Sequence, residues 1–254
     1  MQSYQTISEL FNSVCDKHKH ATAFTCLGKS MTYGELDHQS ADFAAYLQHH
    51  TTLAPGDRLV VQLPNLLQYP IVLFGALRVG VVIVNTNPLY TGRELEHQLN
   101  DSGAKVLVVL ANLAKAAESV IDKTQIQHVI ITEVGDMHSF PKRQLINSVL
   151  RYIKKQVPEV HFASSISLRQ ALSLGSRDAF SEVQRAPEDI AFLQYTGGTT
   201  GVAKGAMLSQ ANLLANKKIR KEEFSSSLGA FWANFFGLGS PRSILPRSPI
   251  NRFN

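Results

Sequence analysis

Ile7, Leu10, Phe11 and Val14 recur at i, i+3, i+4 and i+7, the spacing of one buried helical stripe. A short strand is predicted over Ala21 to Leu27, followed by a turn at Gly28-Lys29. Thr32 and Glu35 have the spacing of a capping box and open a helix that runs to His50, with Leu36, Phe43 and Leu47 turned inward. Pro55-Gly56-Asp57 reads as a turn. A strand over Arg58 to Leu63, a helix over Asn65 to Arg78 and a strand over Val81 to Val84 come next. Thr91 and Glu94 repeat the capping box, and the helix they open ends near Ser102-Gly103. A strand over Lys105 to Leu110, a helix over Ala114 to Asp122 and a strand over His128 to Ile131 follow. The runs at 81–84 and 106–110 are apolar at every position. That predicts strands buried on both faces, as in a parallel sheet covered by helices, and strand–helix alternation makes the fold class α/β.

Residues 133–188 are less regular. Leu145 to Val157 reads as a basic amphipathic helix, with Ile146, Val149, Leu150 and Ile153 on one face and Arg151, Lys154 and Lys155 on the other. It can be a membrane-surface helix. It can equally be a packed surface helix with a solvated basic edge, the reading that charge runs in general favour. His49-His50 lacks a nearby acid or cysteine partner in sequence and reads as a solvated helix end.

The densest chemistry lies at residues 193–205. An apolar run, Ile190 to Leu193, predicts a buried strand. Between Thr196 and Lys204 stand three glycines, three threonines and the lysine. Gly197, Gly198 and Gly201 let a ligand approach the backbone amides with no Cβ in the way. Thr196, Thr199 and Thr200 add hydroxyls, and Lys204 adds a mobile positive charge. Amides, hydroxyls and an ammonium together suit a polyphosphate. The Walker spacing is absent, because Lys204 lies between Ala203 and Gly205. The dinucleotide fingerprint G-x-G-x-x-G is absent too.

Composition changes the picture in two places. The formal charge of +5 suggests an acidic partner until it is located. Up to Asn216 there are 18 basic and 18 acidic residues, so the excess lies beyond, where seven basic residues face only Glu222 and Glu223. A nucleic-acid partner therefore loses its support. The two cysteines, Cys15 and Cys26, cannot form a disulfide framework and favour a reducing compartment. The start of the chain has no basic, apolar pattern of a secretory signal, and the longest apolar stretch, Ile71 to Val84, is interrupted by Arg78.

Ser209 is the expected N-cap of a helix through Asn216, and the character then changes. The tail, 217–254, is rich in serine, proline and arginine, holds the single tryptophan, Trp232, and carries no strand–helix period. One reading is a basic-aromatic tail for membranes or nucleic acid. The other, favoured by so abrupt a break inside a helix, is an end unrelated to the fold, such as a shifted reading frame. The expected organisation is a partial domain over 1–216 followed by an irregular tail.

Met31-Thr-Tyr-Gly-Glu-Leu36, Pro64-Asn-Leu-Leu-Gln-Tyr-Pro70, Val84-Asn-Thr-Asn-Pro-Leu-Tyr-Thr91, Glu94-Leu-Glu-His-Gln-Leu-Asn-Asp-Ser-Gly103 and Tyr195-Thr-Gly-Gly-Thr-Thr-Gly-Val-Ala-Lys-Gly205 stand in this order. Over roughly residues 1–216 the chain resembles the N-terminal part of the adenylate-forming (AMP-binding) superfamily, and within it the bacterial long-chain fatty-acid–CoA ligases. Ala203 stands where many members have proline, a departure this branch tolerates. The resemblance implies an acyl-CoA synthetase fold and a two-step reaction. A fatty-acid carboxylate attacks the α-phosphate of ATP, giving acyl-AMP and pyrophosphate, and coenzyme A then displaces AMP. It implies that Tyr195, Thr196, Gly197, Gly198, Thr199, Thr200, Gly201 and Lys204 bind the nucleotide. Thr196 would hold Mg²⁺ with a downstream glutamate, and Lys204 would neutralise the pyrophosphate leaving group. The cysteine usage leads to the expectation of a cytoplasmic protein, with a peripheral contact at the inner face of the membrane as the option the basic helix leaves open. The adenine-binding segment, the Mg²⁺ glutamate, the rest of the acyl pocket and the C-terminal domain lie downstream in the family and are unmatched here. The alternative to an active ligase is accordingly a non-catalytic fragment or a membrane-associated remnant.

Overall fold

A computed structural model describes residues 4–196 and 204–218. Helix α1 spans Ile7–His18 and buries Ile7, Leu10 and Phe11, as the stripe predicts; the Thr6 hydroxyl caps it by accepting from the Glu9 amide. Strands β1 (Thr22–Cys26) and β2 (Lys29–Thr32) form an antiparallel hairpin. Helix α2 (Tyr33–His50) opens with the predicted capping box, both arms of which are made. Then come β3 (Arg58–Gln62), α3 (Gln68–Arg78), β4 (Val82–Asn85), α4 (Gly92–Ser102), β5 (Val106–Leu110), α5 (Ala114–Glu118) and β6 (His128–Thr132). The capping box at Thr91 and Glu94 is also present, and α4 ends at a left-handed Gly103.

Helix α6 (Lys142–Ser148) runs on as a π-helical turn over Val149–Ile153. Strand β7 (Ser165–Ser167), α7 (Leu168–Gly175), β8 (Ile190–Thr196), β9 (Lys204–Ser209) and α8 (Gln210–Lys218) complete the described elements. The Ser209 hydroxyl accepts from the Asn212 amide at 3.2 Å, the cap the sequence predicts.

Among the described residues, seven strands form one sheet in the order β7-β6-β5-β3-β4-β8-β9. All neighbours are parallel except β8 and β9, which pair antiparallel. The alternating side chains of β3 explain the two covered faces. Leu59 and Val61 point into a core built with α1, α2, α3 and α7, while Val60 points into a second core with α4 and α5. From β3 the chain moves by way of α3 to β4 on one side. It then crosses by way of α4 to β5 on the other. The direction of winding therefore reverses at β3/β5, and the carboxyl ends of the strands around such a reversal are where α/β sheets bind ligands.

Several boundaries differ from the sequence reading. Helix α3 begins at Gln68 rather than Asn65, because Pro64 and Leu66 close a tight turn, the Leu66 amide bonding the Pro64 carbonyl at 2.7 Å. Helix α5 stops at Glu118, where Ser119 turns its hydroxyl onto the Ala116 carbonyl. The helix expected over 145–157 begins at Lys142, since its first turn is polar and carries no apolar period, and it ends at Ile153. Strand β7 and α7 lie in the stretch that reads as irregular. The Ser167/Gln170 capping box that opens α7 was legible there. His50 does have an acid partner. Its Nε2 lies 2.9 Å from Asp178 Oδ2, across 128 residues of sequence.

Candidate functional site at the carboxyl end of the sheet

Thr196 ends β8 and Lys204 begins β9, and the two are register partners across the antiparallel pair. The mouth of this hairpin lies at the carboxyl end of β8, whose other neighbour, β4, is parallel to it. Gly197, Gly198, Thr199, Thr200 and Gly201 lie outside the described residues, as do the side chains of Thr196 and Lys204.

The base of the hairpin is built from both faces. On the α4 side, the buried Tyr195 donates its hydroxyl to Asp101 Oδ2 of α4 at 2.5 Å. Burial, and then the Asp101 carboxylate, push the Tyr195 phenol far above its ordinary range, so it stays a protonated donor. Its ring lies against Gly205, where a Cβ would stand 3.0 Å from ring carbons. On the α3 side, the Tyr69 hydroxyl donates to Asn85 Oδ1 at 2.8 Å, and Asn85 Nδ2 donates to Gln194 Oε1 at 3.0 Å. Burial likewise raises the Tyr69 phenol. Gln98 of α4 donates to the Asn85 carbonyl at 2.9 Å. Among the described residues, both amide atoms of Gln62, Thr86 Oγ1 and Gln98 Oε1 are buried without a partner. Gln62 and Thr86 follow on from paired positions of β3 and β4, so the polar atoms gather at the carboxyl ends of the strands. Polar groups this deeply buried ordinarily have partners.

The sequence profile of the family described as AMP-binding enzyme matches residues 11–235. The chain belongs to that family. It is 52% identical over 213 residues to a long-chain-fatty-acid–CoA ligase of Escherichia coli O157:H7, covering 84% of this chain and 38% of the relative. A ligase of the same name from Bacillus subtilis (strain 168) is 34% identical over 220 residues, covering 85% of this chain and 38% of the relative. Among solved structures, a long-chain-fatty-acid–CoA ligase from Archaeoglobus fulgidus superposes with a TM-score of 0.67 at 27% identity, covering 87% of this chain and 40% of that one. An anthranilate–CoA ligase in complex with anthranoyl-AMP superposes with a TM-score of 0.69 at 17% identity, over 86% of this chain and 37% of that one, a likeness of fold. The α/β class and the acyl-CoA-ligase fold expected from the sequence are thus borne out. The chain spans 38% of the length of the curated relatives it matches first, and the family match runs past Asn216 to residue 235.

Within this AMP-binding domain the structure brings Tyr195, Thr196 and Lys204 to one hairpin mouth. It adds Asp101, Asn85, Gln194 and Tyr69, which the sequence reading did not single out as site residues. Asp101 gives no local signal, because its partner lies 94 residues away. Asn85 gives a faint one, a polar side chain closing an apolar strand. Among the described residues no cluster of three His, Cys, Asp or Glu side chains could hold a metal. A cavity of about 280 Å³ lined by His50, His128 and Ser165 opens at the amino end of β6, away from the hairpin mouth.

Proposed function

We propose that the complete protein of which this chain forms a part activates a long-chain fatty acid, first as acyl-AMP with release of pyrophosphate, then as the thioester of coenzyme A. The observation that carries the reading is the pairing of Thr196 with Lys204 at the carboxyl end of β8, with the Gly/Thr-rich stretch between them in the sequence. The names of the relatives support the substrate class. The role of the hairpin mouth is to position polyphosphate and meet charge on the departing pyrophosphate. In that role Gly197, Gly198, Thr199, Thr200 and Gly201 wrap the β- and γ-phosphates. Lys204 neutralises the leaving group, Thr196 contributes a hydroxyl toward the Mg²⁺ that accompanies ATP, and Tyr195 fixes the base of the loop. The free thiols Cys15 and Cys26 fit a reducing, cytoplasmic setting. No helix among the described residues is long and apolar enough to cross a membrane. We place the protein at the inner face of the membrane as a peripheral contact. Residues 236–254, beyond the family match, we regard as a tail outside the catalytic fold.

Residues 1–254, which match 38% of the Escherichia coli relative's length, are expected by themselves to give no palmitate-dependent ATP–pyrophosphate exchange above a Lys204→Ala control. Joining residues 1–216 to the remaining length of the Escherichia coli relative is expected to restore that exchange, with Lys204→Ala in the chimera lowering it at least about a hundredfold. A folded chimera without exchange, or one indifferent to Lys204→Ala, overturns the proposal.

A further inference from the structure

The helix formed by α6 and its π-helical turn presents two unlike faces. Its inner face packs on the loop after β6. Asn147 Oδ1 accepts from the Gly135 amide at 2.8 Å, Ile146 lies against the same glycine, and Arg151 pairs with Glu133. Its outer residues are large and apolar, yet uncovered: Leu145 is 65% exposed, Tyr152 72% and Ile153 75%. Leu145 lies on the α-helical part and Tyr152 and Ile153 on the π-helical turn. Phe140, just before the helix, is 74% exposed. At the same end lies the β1–β2 turn, where the Lys142 ammonium donates to the Leu27 carbonyl at 3.1 Å. Leu27 is half exposed and holds φ of 51°, a left-handed angle that a leucine adopts at some cost. Stability of the hairpin does not account for a leucine there.

Charge says what covers this surface. Between Met137 and Pro158 there are five Lys or Arg residues and no acid, which leaves the rest of residues 1–216 with a net charge of minus five. Among the described residues, Lys142, Arg143, Lys154 and Lys155 have no carboxylate partner. Protruding aromatic and aliphatic side chains beside lysines that can reach past them are the make-up of a helix lying in a bilayer interface. We infer that the outer face of α6 and its π turn, with Phe140 and Leu27 beside it, docks on an anionic lipid bilayer. This deepens the peripheral contact proposed above by naming its surface. The helix follows β6 and the Gly/Thr loop follows β8, both at the carboxyl ends of parallel strands and four strand spacings apart, about 19 Å. Docking there holds the nucleotide end of the sheet close to the membrane, where a long-chain acid partitions.

Vesicle flotation of the full 254-residue chain tests this without ATP or fatty acid, so its outcome is independent of the exchange assay. The chain is expected to float with phosphatidylserine–phosphatidylcholine vesicles and much less with phosphatidylcholine alone. Lys154→Glu with Lys155→Glu is expected to weaken binding at least about tenfold. Tyr152→Ser with Ile153→Ser should do the same at unchanged circular dichroism, and Tyr152→Trp with Ile153→Leu should restore it. Failure of the unaltered chain to float, or binding unchanged in both double variants (which would move the contact to the basic tail), overturns the inference. So does a dimer in sedimentation that the same variants dissolve, since the face would then be a contact between copies.

Discussion

Tyr195 shows how much one side chain next to the Gly/Thr loop is asked to do. Its hydroxyl is spent on Asp101 and its ring is pressed against Gly205. Removing the hydroxyl leaves a carboxylate without its donor, so Tyr195→Phe is expected to cost about 1–2 kcal/mol, and Asp101→Ala, which removes the acceptor, a similar amount. Because both changes break one bond, the double variant should lose clearly less than the sum. Urea unfolding of the three variants measures this, and strict additivity would show that the bond does not couple α4 to β8. None of this was legible beforehand. A tyrosine before a glycine-rich loop is visible in sequence, but the aspartate that fixes it is not, because it lies on another helix.

Elements whose ends carry their own chemistry were read well. The capping boxes at Thr32 and Thr91 need only residues three apart, and both are made. Thr91→Ala is expected to cost about 1 kcal/mol, the usual worth of a cap. Gly175 is a different case: a Cβ there would stand 1.8 Å from the Asp42 carbonyl, backbone against backbone where α7 crosses α2. Gly175→Ala should therefore cost about 3 kcal/mol or more. Thermal or urea midpoints compare the two, and equal losses would mean that α7 yields easily. Helix α6 was misplaced at both ends for a related reason. Its period was read from apolar residues, but its start is set by Pro141 and Lys142 and its end by a π turn.

At the scale of the molecule, Asp57 ties two strands together. It sits just before β3, accepts from the Ala54 amide at 2.8 Å, and pairs with Lys105, just before β5, at 2.7 Å. Burial pushes its carboxyl upward, but the Ala54 amide and the Lys105 ammonium outweigh it, and the folded value lies below the ordinary aspartate one. The sign follows: this contribution is whole above about pH 4 and is lost as pH falls through the depressed folded value. Asp57→Asn should be less stable than the parent at pH 7, and the gap should close on acidification. A gap that stays constant with pH would remove the carboxylate from the account. The sequence by itself determined the α/β class, the family, the capped helices and the Gly/Thr segment, because each rests on residues close together in the chain or on a period that one face must bury. Only the tertiary structure decided the strand order and the pairing of Thr196 with Lys204. It alone placed Asp101, Asn85 and Gln194 around the hairpin base and showed which side of α6 is left uncovered. Those depend on contacts between residues far apart in sequence, and no local pattern specifies which distant partner a polar or apolar side chain meets.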